Sequence, residues 1–148
     1  MSCCRLQAQV DVPPEQLWEL VGNVERHPEW WPRVVDVHCE GLEQGCSYRQ
    51  VFQSPMGVVT TDVSIERLEG CQELTLRCLD TGTYAHWLMA EAQGGTFLDV
   101  EFGIDPQTTR TRVFDMVAGR RYFRRWLEES IDALRTAAAA SAPAHEGR

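Results

Sequence analysis

Few side chains in this 148-residue sequence are placed to do chemistry, and the first is an arginine. At about 100° per residue, Val113, Met116, Phe123, Leu127, Ile131, Leu134 and Ala138 fall within roughly 40° of one line, and Arg120 lies roughly 20° from its centre. A guanidinium on such a stripe needs an acceptor. It can hold a ligand carboxylate, phenolate or enolate, pair with an acid of a facing sheet, or snorkel out past Gly119. Asp62 and Glu66 share one face of residues 59–66, opposite Val59, Thr61, Val63 and Ile65. His27 and His86 have the residue type of a general base, but neither has a nameable partner. His38 and His145 stand on a polar face and in the C-terminal stretch.

Other chemistries are excluded. All 14 basic residues are arginine, which rules out lysine Schiff bases. The six cysteines form no C-x-x-C pair and have no zinc-like spacing to histidine, so metal binding is disfavoured and no cofactor is implied. No Ser/His/Asp or Cys/His signature is present. A turn at 41–44 would set Cys39 across from Cys46, and we expect both as thiols.

The apolar inventory is richer. Trp30, Trp31, Phe52, Trp87, Met89, Val100, Phe102 and Phe123, with Met116 and Arg120 from the helix, make up the expected ligand-binding set. Each alone is an ordinary core residue; together they suit the wall of a cavity for a flat or greasy molecule.

The elements that position these groups follow from periodicity. Residues 4–10 alternate as a half-buried strand, and Pro13-Pro14-Glu15 opens a helix carrying Leu17, Trp18, Leu20 and Val21. Pro28 and Pro32 allow at most one further short helix between them. Six short strands follow from Val34 to Ile104, cut by turn signals at Gly41/Gly45, Pro55/Gly57, Gly70, Gly82 and Gly94-Gly95. Residues 107–139 read as one long helix, and a disordered tail is expected over 140–148. The size fits one domain, spanning 4–139.

With 43% hydrophobic residues, no apolar run of membrane-span length and no h-region after Met1, the expected setting is the cytoplasm, without membrane insertion. The net charge of −8 argues against nucleic acid as a partner. Sequence leaves the oligomeric state open.

The order of strand, two short helices, six strands and long helix, with the segments VPPEQLWELVGNVERHPEWWPRV and FDMVAGRRYFRRWLEESIDALRTAA and the Gly94-Gly95-Thr96 turn, resembles the START-like (SRPBCC) superfamily. The bacterial polyketide cyclase/dehydrase and lipid-transport group is the nearest likeness. The resemblance implies an α+β helix-grip fold: a curved seven-stranded antiparallel sheet around the C-terminal helix, with an apolar cavity between them. It also implies a hydrophobic, aromatic or polyketide-like small-molecule ligand. Two alternatives stand beside that reading. One is a cyclase, aromatase or dehydrase, with Asp62, Glu66 and Arg120 as the catalytic groups to test; the other is a toxin-like protein-interaction module. In the aromatase/cyclase branch an inward arginine ends the strand that here reads Val63-Ser64-Ile65-Glu66. Glu66 takes that position, and Arg67 lies one residue off.

Overall fold

Alternation of apolar and polar residues produces seven strands, seen in a computed structural model that describes residues 2–141 apart from 56 and 107. These are β1 (Cys3–Val10), β2 (Val34–His38), β3 (Ser47–Ser54), β4 (Gly57–Glu69), β5 (Glu73–Cys78), β6 (Thr83–Ala92) and β7 (Gly95–Ile104). They pair antiparallel in the order β1-β7-β6-β5-β4-β3-β2, so the first strand closes against the last and β1 and β2 form the edges. The expected helix-grip fold is the observed one.

Two connections show why the sheet closes as it does. Gly94 takes a positive φ of 82° in the β6–β7 turn, a conformation that suits glycine. Beside it, a Cβ on Gly95 would fall 2.1 Å from the Val10 carbonyl oxygen, so β1 can lie this close to β7 only if residue 95 has no side chain. Thr96 completes the junction, its Oγ1 donating to the Val12 carbonyl at 2.7 Å.

Between β1 and β2 lie α1 (Pro14–Val21), a 3₁₀ turn at Val24–Arg26 and the short α2 (His27–Trp30). Pro14 at the start of α1 supplies the preset φ, and Leu17, Leu20 and Val21 go inside. After β7 come α3 (Thr109–Phe114), a π-helical turn at Asp115–Gly119 and α4 (Arg120–Ser141). Thr108 caps α3 in a capping box with Thr111. The expected tail begins inside α4, which includes Ala140 and Ser141; residues 142–148 lie outside the described residues. No described helix is long and apolar enough to cross a membrane.

The π turn corrects the helical stripe. A π turn inserts one residue into the helical repeat and so rotates everything before it by about 100° relative to the continuous helix. Beyond it, Phe123, Leu127, Ile131, Leu134 and Ala138 are buried as the periodicity requires. Around the turn, the inward positions move from Val113, Met116 and Arg120 to Phe114, Asp115 and Gly119. Val113 is 54% and Met116 81% exposed. Gly119 permits the wide turn, because a Cβ there would stand 2.6 Å from Oδ1 of the buried Asp115.

The sheet and α4 enclose a core centred on aromatic rings. Trp87 meets Trp30, Trp31 and Phe102 at centroid separations of 5.6–5.7 Å, and Phe102 lies 4.5 Å from Trp126. Each fully buried large side chain contributes about 2–3 kcal/mol by its removal from water.

Candidate functional site

The aromatic packing stops short of one end of the groove. There, between β3–β7 and the α3–α4 segment, lies a cavity of about 500 Å³. Its floor follows from strand register. Tyr48, Val63 and Cys78 stand side by side on β3, β4 and β5, and Thr83 pairs with Ile104 on β6 and β7; all five line the cavity. One step deeper are Leu76 and Ala85, and one step towards solvent are Gln50 and Thr61. The odd-numbered face of β4 is therefore the inward one, as its hydrophobicity requires.

Rings form the opposite wall, Trp31, Tyr122, Phe123 and Trp126, and Phe52 on β3 meets them from the sheet. Trp31 and Trp126 stack at 5.5 Å with planes 11° apart, and Phe52 meets Trp126 edge-on at 5.3 Å. Hydrogen bonds fix the two indoles. Trp31 Nε1 donates to Ser130 Oγ at 2.9 Å, Ser130 Oγ donates to the Trp126 carbonyl at 2.7 Å, and Trp126 Nε1 donates to the Pro32 carbonyl at 2.9 Å. Arg33, held at a φ of 78°, lays its guanidinium 4.7 Å from the centre of the Tyr122 ring and pairs with Glu129 at 3.0 Å. These side chains make a rigid, flat-walled slot before any ligand enters.

Among the described residues, the only charged ones lining the cavity, Asp80 and Arg110, are exposed and so belong to its mouth. Inside, the polar groups are neutral. Tyr48 is 4% exposed, and burial pushes its phenol far above the ordinary value, so it stays protonated. Among the described residues nothing hydrogen-bonds its hydroxyl. Thr83 Oγ1, by contrast, accepts from Thr81 Oγ1 at 2.8 Å.

Set against this geometry, the expected ligand-binding residues divide. Trp31, Phe52 and Phe123 line the cavity; Trp30, Trp87, Met89, Val100 and Phe102 are buried beside it as core. They face inward as alternation demands, but α2 brings Trp30 and Trp31 onto the sheet over them, so their part of the groove is filled. Met116 and Arg120 are exposed and are not part of this cavity's lining, because the π turn rotates them to the outside.

The groups proposed for catalysis lie elsewhere. Asp62 faces the outside of the sheet, 3.7 Å from Arg49, and Glu66 pairs with Arg77 at 2.9 Å. A bulge between Ile65 and Arg67 leaves Glu66 out of the ladder, and Arg67 pairs outside with Glu69 at 3.0 Å. Neither residue supplies the inward arginine of the cyclase pattern. His86 binds Glu73 at 2.8 Å away from the cavity.

His27 is wholly buried, edge-on to Trp30 and Trp31 at 5.7 and 4.8 Å. Its Nε2 lies 2.8 Å from the Val21 carbonyl and must carry the proton, since a carbonyl only accepts. Burial lowers its pKa from 6.5 to about 4, against a smaller upward pull from that hydrogen bond, and the ring is neutral at pH 7. It secures α1 to α2 and does not reach the cavity.

Cys39 and Cys46 are both free, but they do not face each other. His38 stands opposite Arg49, two residues out of step with a 39–46 pairing, and Cys46 instead accepts at its carbonyl from the Ile65 amide.

Comparison with known proteins places this architecture. A family model described as polyketide cyclase / dehydrase and lipid transport matches residues 1–139. The chain belongs to that family. Several solved structures share the family's fold. A START superfamily protein from Mycobacterium smegmatis has a TM-score of 0.73 at 12% identity, covering 95% of this chain and 99% of its own. A protein from Arthrobacter aurescens gives 0.70 at 12% identity, covering 99% and 92%. One from Rhodobacter sphaeroides gives 0.65 at 24% identity, covering 94% and 93%. No curated protein matches in sequence. Likeness at these identities establishes the polyketide cyclase/dehydrase and lipid-transport fold; what enters the cavity has to be argued from its own side chains.

Proposed function

We propose that this protein binds one hydrophobic, aromatic or polyketide-like small molecule in the cavity between the sheet and the C-terminal helices. The observation that carries the reading is a cavity of about 500 Å³ walled by Trp31, Phe52, Phe123 and Trp126, in which the charged residues among those described stand at the mouth. Aromatic walls with neutral polar groups between them favour a flat, uncharged body over a phosphate or a sugar. Nucleic acid is disfavoured by the net charge of −8.

A neutral fluorescent probe tests this. N-phenyl-1-naphthylamine should bind saturably, one per chain, with quenching of tryptophan emission through Trp31 and Trp126. Thr61 is nearly buried on the inward face of β4, so Thr61→Trp should fill the slot and weaken probe binding more than about tenfold while leaving the melting temperature within a few degrees. Unchanged affinity in that variant would place the probe somewhere other than the cavity and overturn the reading.

A further inference from the structure

The ligand's buried pole can be read from the most deeply buried phenol of the cavity, whose hydroxyl the fold leaves unanswered. Protein interiors rarely leave a hydroxyl without a partner, since desolvating it costs about as much as a hydrogen bond returns. The cavity's other hydrogen-bonding groups are differently placed. Thr83 is engaged with Thr81, the two indole N–H groups are engaged with Ser130 and Pro32, and Asp80 and Arg110 are at the mouth. Among the described residues two phenol hydroxyls of the lining are buried without a hydrogen-bond partner, those of Tyr48 and Tyr122; the Tyr122 ring lies under the Arg33 guanidinium, whereas Tyr48 is the more deeply buried, its ring on the cavity floor beside Val63.

We infer that Tyr48 is the specificity-determining residue of the cavity, donating its hydroxyl hydrogen to a neutral carbonyl oxygen at the buried end of the ligand. The inference rests on the proposed cavity binding and adds the chemical class of the ligand. A phenol held protonated by burial is a permanent donor. A carboxylate at the same point would need a cation, and none of the described residues lining the inner cavity is one. A plain hydrocarbon would fill the slot but leave the hydroxyl unanswered, and so would bind more weakly than its ketone counterpart.

Fluorenone and fluorene make the comparison, being tricyclic molecules of nearly the same shape that differ by one carbonyl. Both should bind the wild-type chain, with fluorenone about tenfold tighter. In Tyr48→Phe, which removes only the hydroxyl, fluorene affinity should hold or improve and the ketone preference should vanish. The infrared carbonyl stretch of bound fluorenone should lie at lower frequency in wild type than in hexane, a readout that needs no variant. Equal binding of the two by wild type, a preference that survives in Tyr48→Phe, or an unshifted carbonyl would overturn this inference and leave the cavity reading standing. Failure of both molecules to bind would overturn the two together.

Discussion

Trp87→Ala is expected to destabilise the fold by about 3–5 kcal/mol, the range for removing a large aromatic side chain from a packed core. Trp87 is fully buried on β6, with Leu74 and Val100 as its cross-strand neighbours and three aromatic rings within 5.7 Å. Truncation removes the ring on which Trp30, Trp31 and Phe102 converge, and those groups are tied to separate elements that cannot collapse together. Trp87→Phe gives the contrast. It keeps a ring in place and deletes an Nε1–H that no described residue accepts, so its cost should be smaller, about 1–2 kcal/mol. Urea unfolding followed by far-UV circular dichroism measures both. A loss below about 1 kcal/mol for Trp87→Ala would contradict its place at the centre of the core.

Acid should act on the fold through His27. The unfolded chain takes up this proton near pH 6.5, whereas the folded chain resists it until about pH 4. Between those values the unfolded state binds more protons, so stability is complete above about pH 6.5 and is lost as the pH falls. By pH 4, where the folded ring is itself half protonated, the loss from this single group is about 3 kcal/mol, from the separation between 6.5 and about 4 at about 1.4 kcal/mol per pH unit. His27→Gln retains an N–H donor for the Val21 carbonyl and cannot titrate. It should be less stable than wild type at pH 7 and should lose about 3 kcal/mol less between pH 7 and pH 4. Parallel acid limbs for the two proteins would show that His27 does not titrate across that interval.

Most of the architecture was legible because one-sided burial writes itself into alternation. Leu6, Ala8 and Val10 on β1, and Leu98, Val100 and Phe102 on β7, take the faces their spacing requires. The six strands after residue 33 fall between the glycine and proline signals. What periodicity could not show is a change of period. One π turn moves Met116 and Arg120 from the groove to solvent, and no propensity marks it in advance. Its physical signature, Asp115 and Gly119 four apart where an acid is to be buried against a residue without a Cβ, has meaning only once their packing is known.

Alternation says which residues point inward but not which of them meet a neighbour that fills the space. Trp87 and Phe102 therefore looked the same as Phe52 and Phe123, although the first two are packed against Trp30 and Trp31 and the others face the cavity. Tyr48 was recoverable: Arg49 and Gln53 place the odd-numbered residues of β3 outside, leaving Tyr48, Gln50 and Phe52 to face in.

The central claim, that a neutral flat molecule enters this cavity, is tested most directly by methyl chemical-shift perturbation on titration with fluorene. Perturbations should concentrate on the methyl groups of Val59, Thr61, Val63, Leu76, Ala85 and Ile104, which share the cavity wall, and saturate at one fluorene per chain. Shifts confined to the exposed Val113, Met116 and Val117, or spread over the surface without saturation, would contradict it.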